Sequence, residues 1–124
     1  MMGFTFTKVV VGDLDAQCGF YVAVLGLSAV HRMANGEGAE KHEQVVLRGD
    51  GEGPSLVLVA YSSREVPVPG EAVLGFEVAD VDVTVHAAVE AGGSVRVAPK
   101  SAGGRRVAVV LDPEGHAVEL LQKP

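Results

Sequence analysis

The chain has 124 residues, a formal net charge of −6, one cysteine and 48% hydrophobic side chains. A single domain with a packed core is the default at that length and apolar content. The acidic balance argues against a nucleic-acid surface or an anionic-membrane binder, and no apolar run approaches the roughly 18–20 residues of a bilayer span. Cys18 alone allows neither an internal disulfide nor a cysteine metal pair. Met1–Gly12 carries only Lys8 as a cation and lacks the layout of a secretory signal, so the expected location is cytoplasmic.

Phe4–Val11 alternates loosely and is β-branched, as in a strand. Gly12-Asp13 ends it. Asp13 suits the cap of a helix whose apolar stripe is Leu14, Cys18, Tyr21, Val22 and Leu25. Gly26 stands where a helix-terminating glycine belongs. Strands are predicted at Ser28–Met33, His42–Arg48 and Ser55–Tyr61, with a polar loop at Ala34–Lys41 and a turn at Gly49–Pro54. Ser55–Tyr61 is almost wholly apolar, as in a strand covered on both faces. Ser62–Glu71 holds Pro67, Pro69, Gly70 and three charges, the composition of a linker.

Beyond the linker the pattern restarts. A strand at Ala72–Val78 leads to a helix capped by Asp80 or Asp82, with Val81, Val85, Ala88 and Val89 as its stripe and Gly92-Gly93 at its end. Short strands follow at Ser94–Val97, Arg105–Leu111 and Ala117–Leu121. Asp112-Pro113-Glu114-Gly115 has the residue order of a type I turn.

Val11-Gly12-Asp13-Leu14-Asp15 and Val78-Ala79-Asp80-Val81-Asp82 lie 67 positions apart, and at that offset Cys18 meets Val85, Val22 meets Val89 and Gly26 meets Gly93. Both halves read strand, helix, then three strands, so the chain carries an internal duplication. Module one is 4–61, the linker 62–71 and module two 72–122. Each module has an apolar sheet face it cannot bury alone. Together they predict a curved sheet of about eight strands around a cavity.

With these motifs the sequence resembles the vicinal oxygen chelate superfamily: glyoxalase I, bleomycin-resistance proteins and extradiol dioxygenases. The resemblance rests on Val11–Leu14, Phe20-Tyr21 and Leu25-Gly26 in the first half. In the second half it rests on Phe76–Asp82 and Asp112–Leu120. It implies an α+β fold of two tandem βαβββ modules forming a curved mixed sheet around a cavity, and a homodimer.

Metal-dependent members of that family hold one divalent transition metal through His or Gln, Glu, His and Glu on the first and last strands of the two modules. Such N/O sets suit zinc, nickel, iron or manganese. Matched to this chain, the positions fall on Phe6, Leu58, Val73 and Glu119, and only Glu119 agrees. One carboxylate cannot hold an ion that needs three or four protein ligands. The four histidines, His31, His42, His86 and His116, sit elsewhere; a re-sited metal remains the alternative.

Glu119 between Val118 and Leu120 then has two readings. In one it lies in the cavity with Phe6, Leu58 and Val73, as a general acid or base toward a small carbonyl compound or as an anchor for a ligand's amine or hydroxyl. In the other it pairs with Arg32, Arg48, Arg105 or Arg106, or is simply solvated. Ser101–Arg106 reads as a flexible loop over the cavity, and Cys18 and Tyr21 as packing residues.

The sequence therefore leads to a metal-free, cytoplasmic homodimer that binds a small, mostly apolar molecule, with no nucleic-acid or membrane partner. The alternative is a glyoxalase-type lyase, isomerase or dioxygenase using a re-sited divalent metal or Glu119 as general base.

Overall fold

The computed structural model describes residues 2–124. The elements in order are β1 (Phe6–Val10), α1 (Leu14–Leu25), β2 (Ser28–Asn35), a short 3-10 helix (Gly38–Glu40), β3 (His42–Arg48) and β4 (Ser55–Tyr61). Then follow β5 (Val73–Val78), α2 (Val81–Glu90), β6 (Ser94–Ala102), β7 (Arg105–Leu111) and β8 (Ala117–Gln122). Two compact units divide the chain: residues up to Val22 with Gly26–Pro67, and Val68–Pro124 with Ala23–Leu25. Among the described residues no helix is long and apolar enough to cross a membrane.

The duplication is complete at the level of topology. The two sheets have the orders β1-β4-β3-β2 and β5-β8-β7-β6. In each, the first strand lies parallel to the fourth and the remaining pairs are antiparallel. The α+β fold of two βαβββ modules is therefore present. The strands hydrogen-bond as two sheets of four, not as one ladder of eight. The first strand of each module takes its own module's last strand as partner, which completes the ladder at four.

In the first unit, Asp13 caps α1 by accepting from the Ala16 N–H at 3.0 Å. Gly26 ends it in the left-handed conformation at φ 67°, which glycine adopts without steric cost. Leu14, Gln17, Phe20 and Tyr21 are buried along the helix. The predicted stripe is thus rotated: Leu14 and Tyr21 remain on it, while Val22 is exposed. Phe20 and Tyr21 meet edge to face, with ring centroids 5.3 Å apart.

An ion pair identifies the sheet face that α1 covers. Arg32 on β2 reaches Asp15 of α1 at 2.7 Å. Arg32 is in register with Val45, Val45 with Leu58 and Leu58 with Val9. Residues in register share a face, and residues one apart do not. Val45, Leu47, Leu56 and Leu58 are therefore the α1 side of the core, and all are buried.

The second unit repeats the device. Asp80 caps α2, accepting from the Val83 N–H at 3.1 Å, and Asp82 pairs with Arg106 of β7 through two hydrogen bonds of 2.7 and 2.9 Å. Arg106, Ala108 and Val110 thus face α2. Ala108, Val110, Val118 and Leu120 are fully buried there with Val81 and Ala88 of the helix. The second aspartate of each repeated motif, Asp15 and Asp82, anchors helix to sheet through an arginine.

The Arg106 guanidinium holds the Asp82 carboxyl below its ordinary range. A depressed carboxylate contributes stability above its unfolded pKa and loses it as pH falls through the folded value. Asp82→Asn is expected to be slightly less stable than the parent at neutral pH. The two proteins should converge as pH falls below about 4, a trend that urea unfolding at a series of pH values will show.

Two segments depart from their predicted form. Ser101–Arg106 is a hairpin, not a flexible loop: Ala102 pairs with Arg105 across Gly103-Gly104. The glycines have φ 60° and 78°, the two positive values that a two-residue type I′ turn requires. Ala34–Lys41 contains the 3-10 helix. Its Glu40 pairs with Arg64, whose guanidinium also stacks 3.9 Å over the Tyr61 ring.

Candidate functional site

Sheet register decides which predicted site residues share a face. Phe6 pairs with Ser55, so Ser55, Val57 and Val59 lie on its face, the one turned away from α1. Leu58 lies on the opposite face, fully buried toward α1. The matching pair in the second sheet is Val73 with Ala117. Two residues beyond Ser55 and Ala117 stand Val57 and Glu119. The counterpart of Glu119 is therefore Val57, and the expectation at Leu58 is corrected by one residue.

Phe6 and Val73 are 48% and 56% exposed. With Val57 they present only carbon, so three of the four family ligand positions have no donor atom for a metal. Glu119 alone does not fit a divalent ion. Among the described residues no three His, Cys, Asp or Glu side chains converge to hold an ion elsewhere. His42 Nδ1 lies 2.8 Å from the Glu40 carbonyl oxygen, His86 pairs with Glu90, and His116 with Asp112.

Glu119 pairs with Gly75 on one side and Val109 on the other. Its face of the second sheet, turned away from α2, also carries Val73, Val107 and Leu121. A Cβ built on Gly75 would meet no atom within 4 Å, so the space beside Glu119 is open. Three of the four arginines expected to neutralise Glu119 are occupied elsewhere. Arg32 binds Asp15 and Glu43, Arg105 binds Glu77 and the Gln122 carbonyl oxygen, and Arg106 binds Asp82. Among the described residues Glu119 makes no hydrogen bond or ion pair, with Arg48 or any other group, and it is exposed.

An exposed, unpaired carboxylate contributes little to folding. Glu119→Gln is expected to leave the unfolding free energy within about 0.5 kcal/mol of the parent, measurable by urea denaturation. A larger loss would mean that Glu119 is a structural residue.

A separate open cleft of about 350 Å³ lies in the first unit, lined by Cys18, Ala29, Val30, His31, Arg32 and Val45. Burial pushes the Cys18 thiol up, with Arg32 opposing. The thiol is therefore protonated and is not an activated nucleophile. Two features go beyond the motif reading, which gave Asp112 only as a turn residue. Asp112 is a buried acceptor for the backbone N–H groups of Glu114 and His116 and lies 2.9 Å from His116 Nδ1. Gln44 is buried on β3.

Comparison with known proteins agrees with this architecture. A sequence model of the Glyoxalase/Bleomycin resistance protein/Dioxygenase superfamily matches residues 3–120. A probable lactoylglutathione lyase of Vibrio parahaemolyticus is 30% identical over 123 residues, which is 94% of this chain and 87% of that protein. Among solved structures, a glyoxalase family protein from Bacillus cereus superposes with a TM-score of 0.85 at 18% identity, covering 98% of this chain and 94% of that one. A glyoxalase-related enzyme from Fulvimarina pelagi gives 0.71 at 22% identity, covering 100% and 90%. At those identities the structural matches show the fold, and the match over nearly the whole sequence shows the family: the chain belongs to the glyoxalase/bleomycin resistance protein/dioxygenase superfamily.

Proposed function

We propose that the protein binds a small, mostly apolar molecule against the face of its second sheet turned away from α2, without a metal, and that Glu119 is a polar anchor for it. The observation that carries this reading is an exposed, unpaired carboxylate beside open space at Gly75, on a face it shares with Val73, Val107, Val109 and Leu121, where Glu77 and Arg105 pair with each other. Binding sites for small molecules combine apolar walls with a few placed polar groups. A carboxylate accepts from an amine or hydroxyl of the ligand. In this reading the protein works as a cytoplasmic homodimer.

A second reading is favoured by the likeness to the Vibrio parahaemolyticus protein. Here the protein is a lyase of the glyoxalase type, with Glu119 moving a proton on a small carbonyl compound. Elemental analysis and a lactoylglutathione lyase assay together separate the two, on the protein as purified and after loading with nickel, zinc or iron followed by desalting. No stoichiometric ion is expected. One ion per chain together with lactoylglutathione lyase turnover would overturn the proposal in favour of the metal enzyme. Turnover without metal that Glu119→Gln abolishes would establish Glu119 as a lone base.

A further inference from the structure

The cleft of about 350 Å³ beside Cys18 lies wholly within the first unit. Ala29 and Arg32 of β2 are in register with Leu47 and Val45 of β3, on the face that α1 covers. Between Ala29 and His31 the register shifts, so Val30 has no partner on β3. Such a bulge bends the strand that carries it. Cys18 and Ala29 are small, and larger side chains at these places would fill the space between the helix and the bulged strand.

The chemistry of the walls selects a ligand. Ala29, Val30 and Val45 present carbon. The Cys18 thiol is kept neutral by burial, and a neutral sulfur makes favourable contacts with aromatic rings. All three guanidinium nitrogens of Arg32 are engaged. Nη1 donates to Asp15 at 2.7 Å, and Nη2 and Nε donate to Glu43 at 3.0 and 3.3 Å. Two carboxylates against one guanidinium disfavour an anionic ligand. A metal ion is not held here, because no three His, Cys, Asp or Glu side chains converge among the described residues. A guanidinium fixed along its edges is a rigid plane, and aromatic rings stack on guanidinium faces. The chain shows the same contact elsewhere, with Arg64 lying 3.9 Å over the Tyr61 ring.

We infer that the cleft between α1 and β2 is a second binding site, for an uncharged aromatic ring that stacks on the Arg32 guanidinium and touches the Cys18 sulfur. Its volume is at the low end of the roughly 300–1,000 Å³ of small-molecule pockets, which suits a molecule of one or two rings. The site is separate from the one at Glu119, which belongs to the second unit.

The test titrates the full chain by NMR with three one-ring probes: phenol, cyclohexanol, which has no aromatic face, and benzoate, an anion. Phenol is expected to shift the amide signals of Cys18 and Ala29–Arg32. It should bind about fivefold more tightly than either of the others. Arg32→Lys keeps the charge but removes the plane, and the preference over cyclohexanol should fall to about twofold or less. Val30→Trp, made at a half-exposed position, fills the cleft without removing the Asp15 or Glu43 contacts and should abolish the shifts. Equal binding of phenol and cyclohexanol overturns the inference, as does a preference that survives Arg32→Lys. Phenol binding that survives Val30→Trp, or that leaves the cleft amides unmoved, overturns it too. If Arg32→Lys does not fold, Val30→Trp and the three probes decide. Glu119→Gln should change none of these results, so failure here leaves the reading of Glu119 standing.

Discussion

Leu58→Ala is expected to lower the unfolding free energy by about 3 kcal/mol, within the roughly 2–5 kcal/mol seen when a buried leucine is cut to alanine. Leu58 is fully buried on β4, an inner strand between β1 and β3. Its register partners, Val9 and Val45, are apolar, so no polar group is available to use the vacated space. For a chain of this length the loss corresponds to a fall of roughly 10 °C in melting temperature. The affinity of the folded variant for a ligand at Glu119 should be unchanged, because the side chain faces α1. A small stability change combined with weakened binding would return Leu58 to the ligand-facing wall.

The second large effect is expected at the turn before β8. Asp112 is 3% exposed. Its Oδ1 accepts from the Glu114 and His116 N–H groups, each at 3.0 Å. The carboxylate also meets His116 Nδ1 at 2.9 Å. The backbone closes the same turn, with the Gly115 N–H donating to the Asp112 carbonyl oxygen at 2.9 Å. Asp112→Ala strands these donors in a partly buried site, each a loss of roughly 1–3 kcal/mol that does not add in full. About 3 kcal/mol in total is expected by urea denaturation. Asp112→Asn keeps an oxygen for the two N–H groups and loses only the charge opposite His116. It should cost about half as much. Equal losses in the two variants would show that the charge opposite His116, not the capping oxygen, holds the turn.

The duplication was fully legible because its punctuation is chemical. Asp13 and Asp80 cap helices, and each repeated motif begins an element at the same offset. The Asp112–Gly115 turn was legible for the same reason. Helix faces were less so. Gln17 is fully buried on α1 while Val22 is exposed, so a stripe drawn through apolar residues alone rotates away from the true face. The strand register was out by one residue at β4. Leu56–Val59 is apolar at every position, and a period of two leaves no mark in such a run. Only the pairing of Phe6 with Ser55 shows that Val57, not Leu58, stands opposite in sequence to Glu119. The hairpin at Gly103-Gly104 carried its turn signal openly, but the charges around it resembled a loop. Gln44 left no signal at all, since the burial of an amide is set by what surrounds it and not by its neighbours in sequence.

The most direct measurement is calorimetric titration of chelator-treated protein with small aromatic amines such as benzylamine, before and after adding nickel or zinc, alongside Glu119→Gln. Saturable binding without metal is predicted, unchanged by either ion and weakened about tenfold in Glu119→Gln, the size expected for a charge-assisted hydrogen bond. Binding that appears only with one equivalent of metal, or that is indifferent to Glu119, would contradict a metal-free site anchored on this carboxylate.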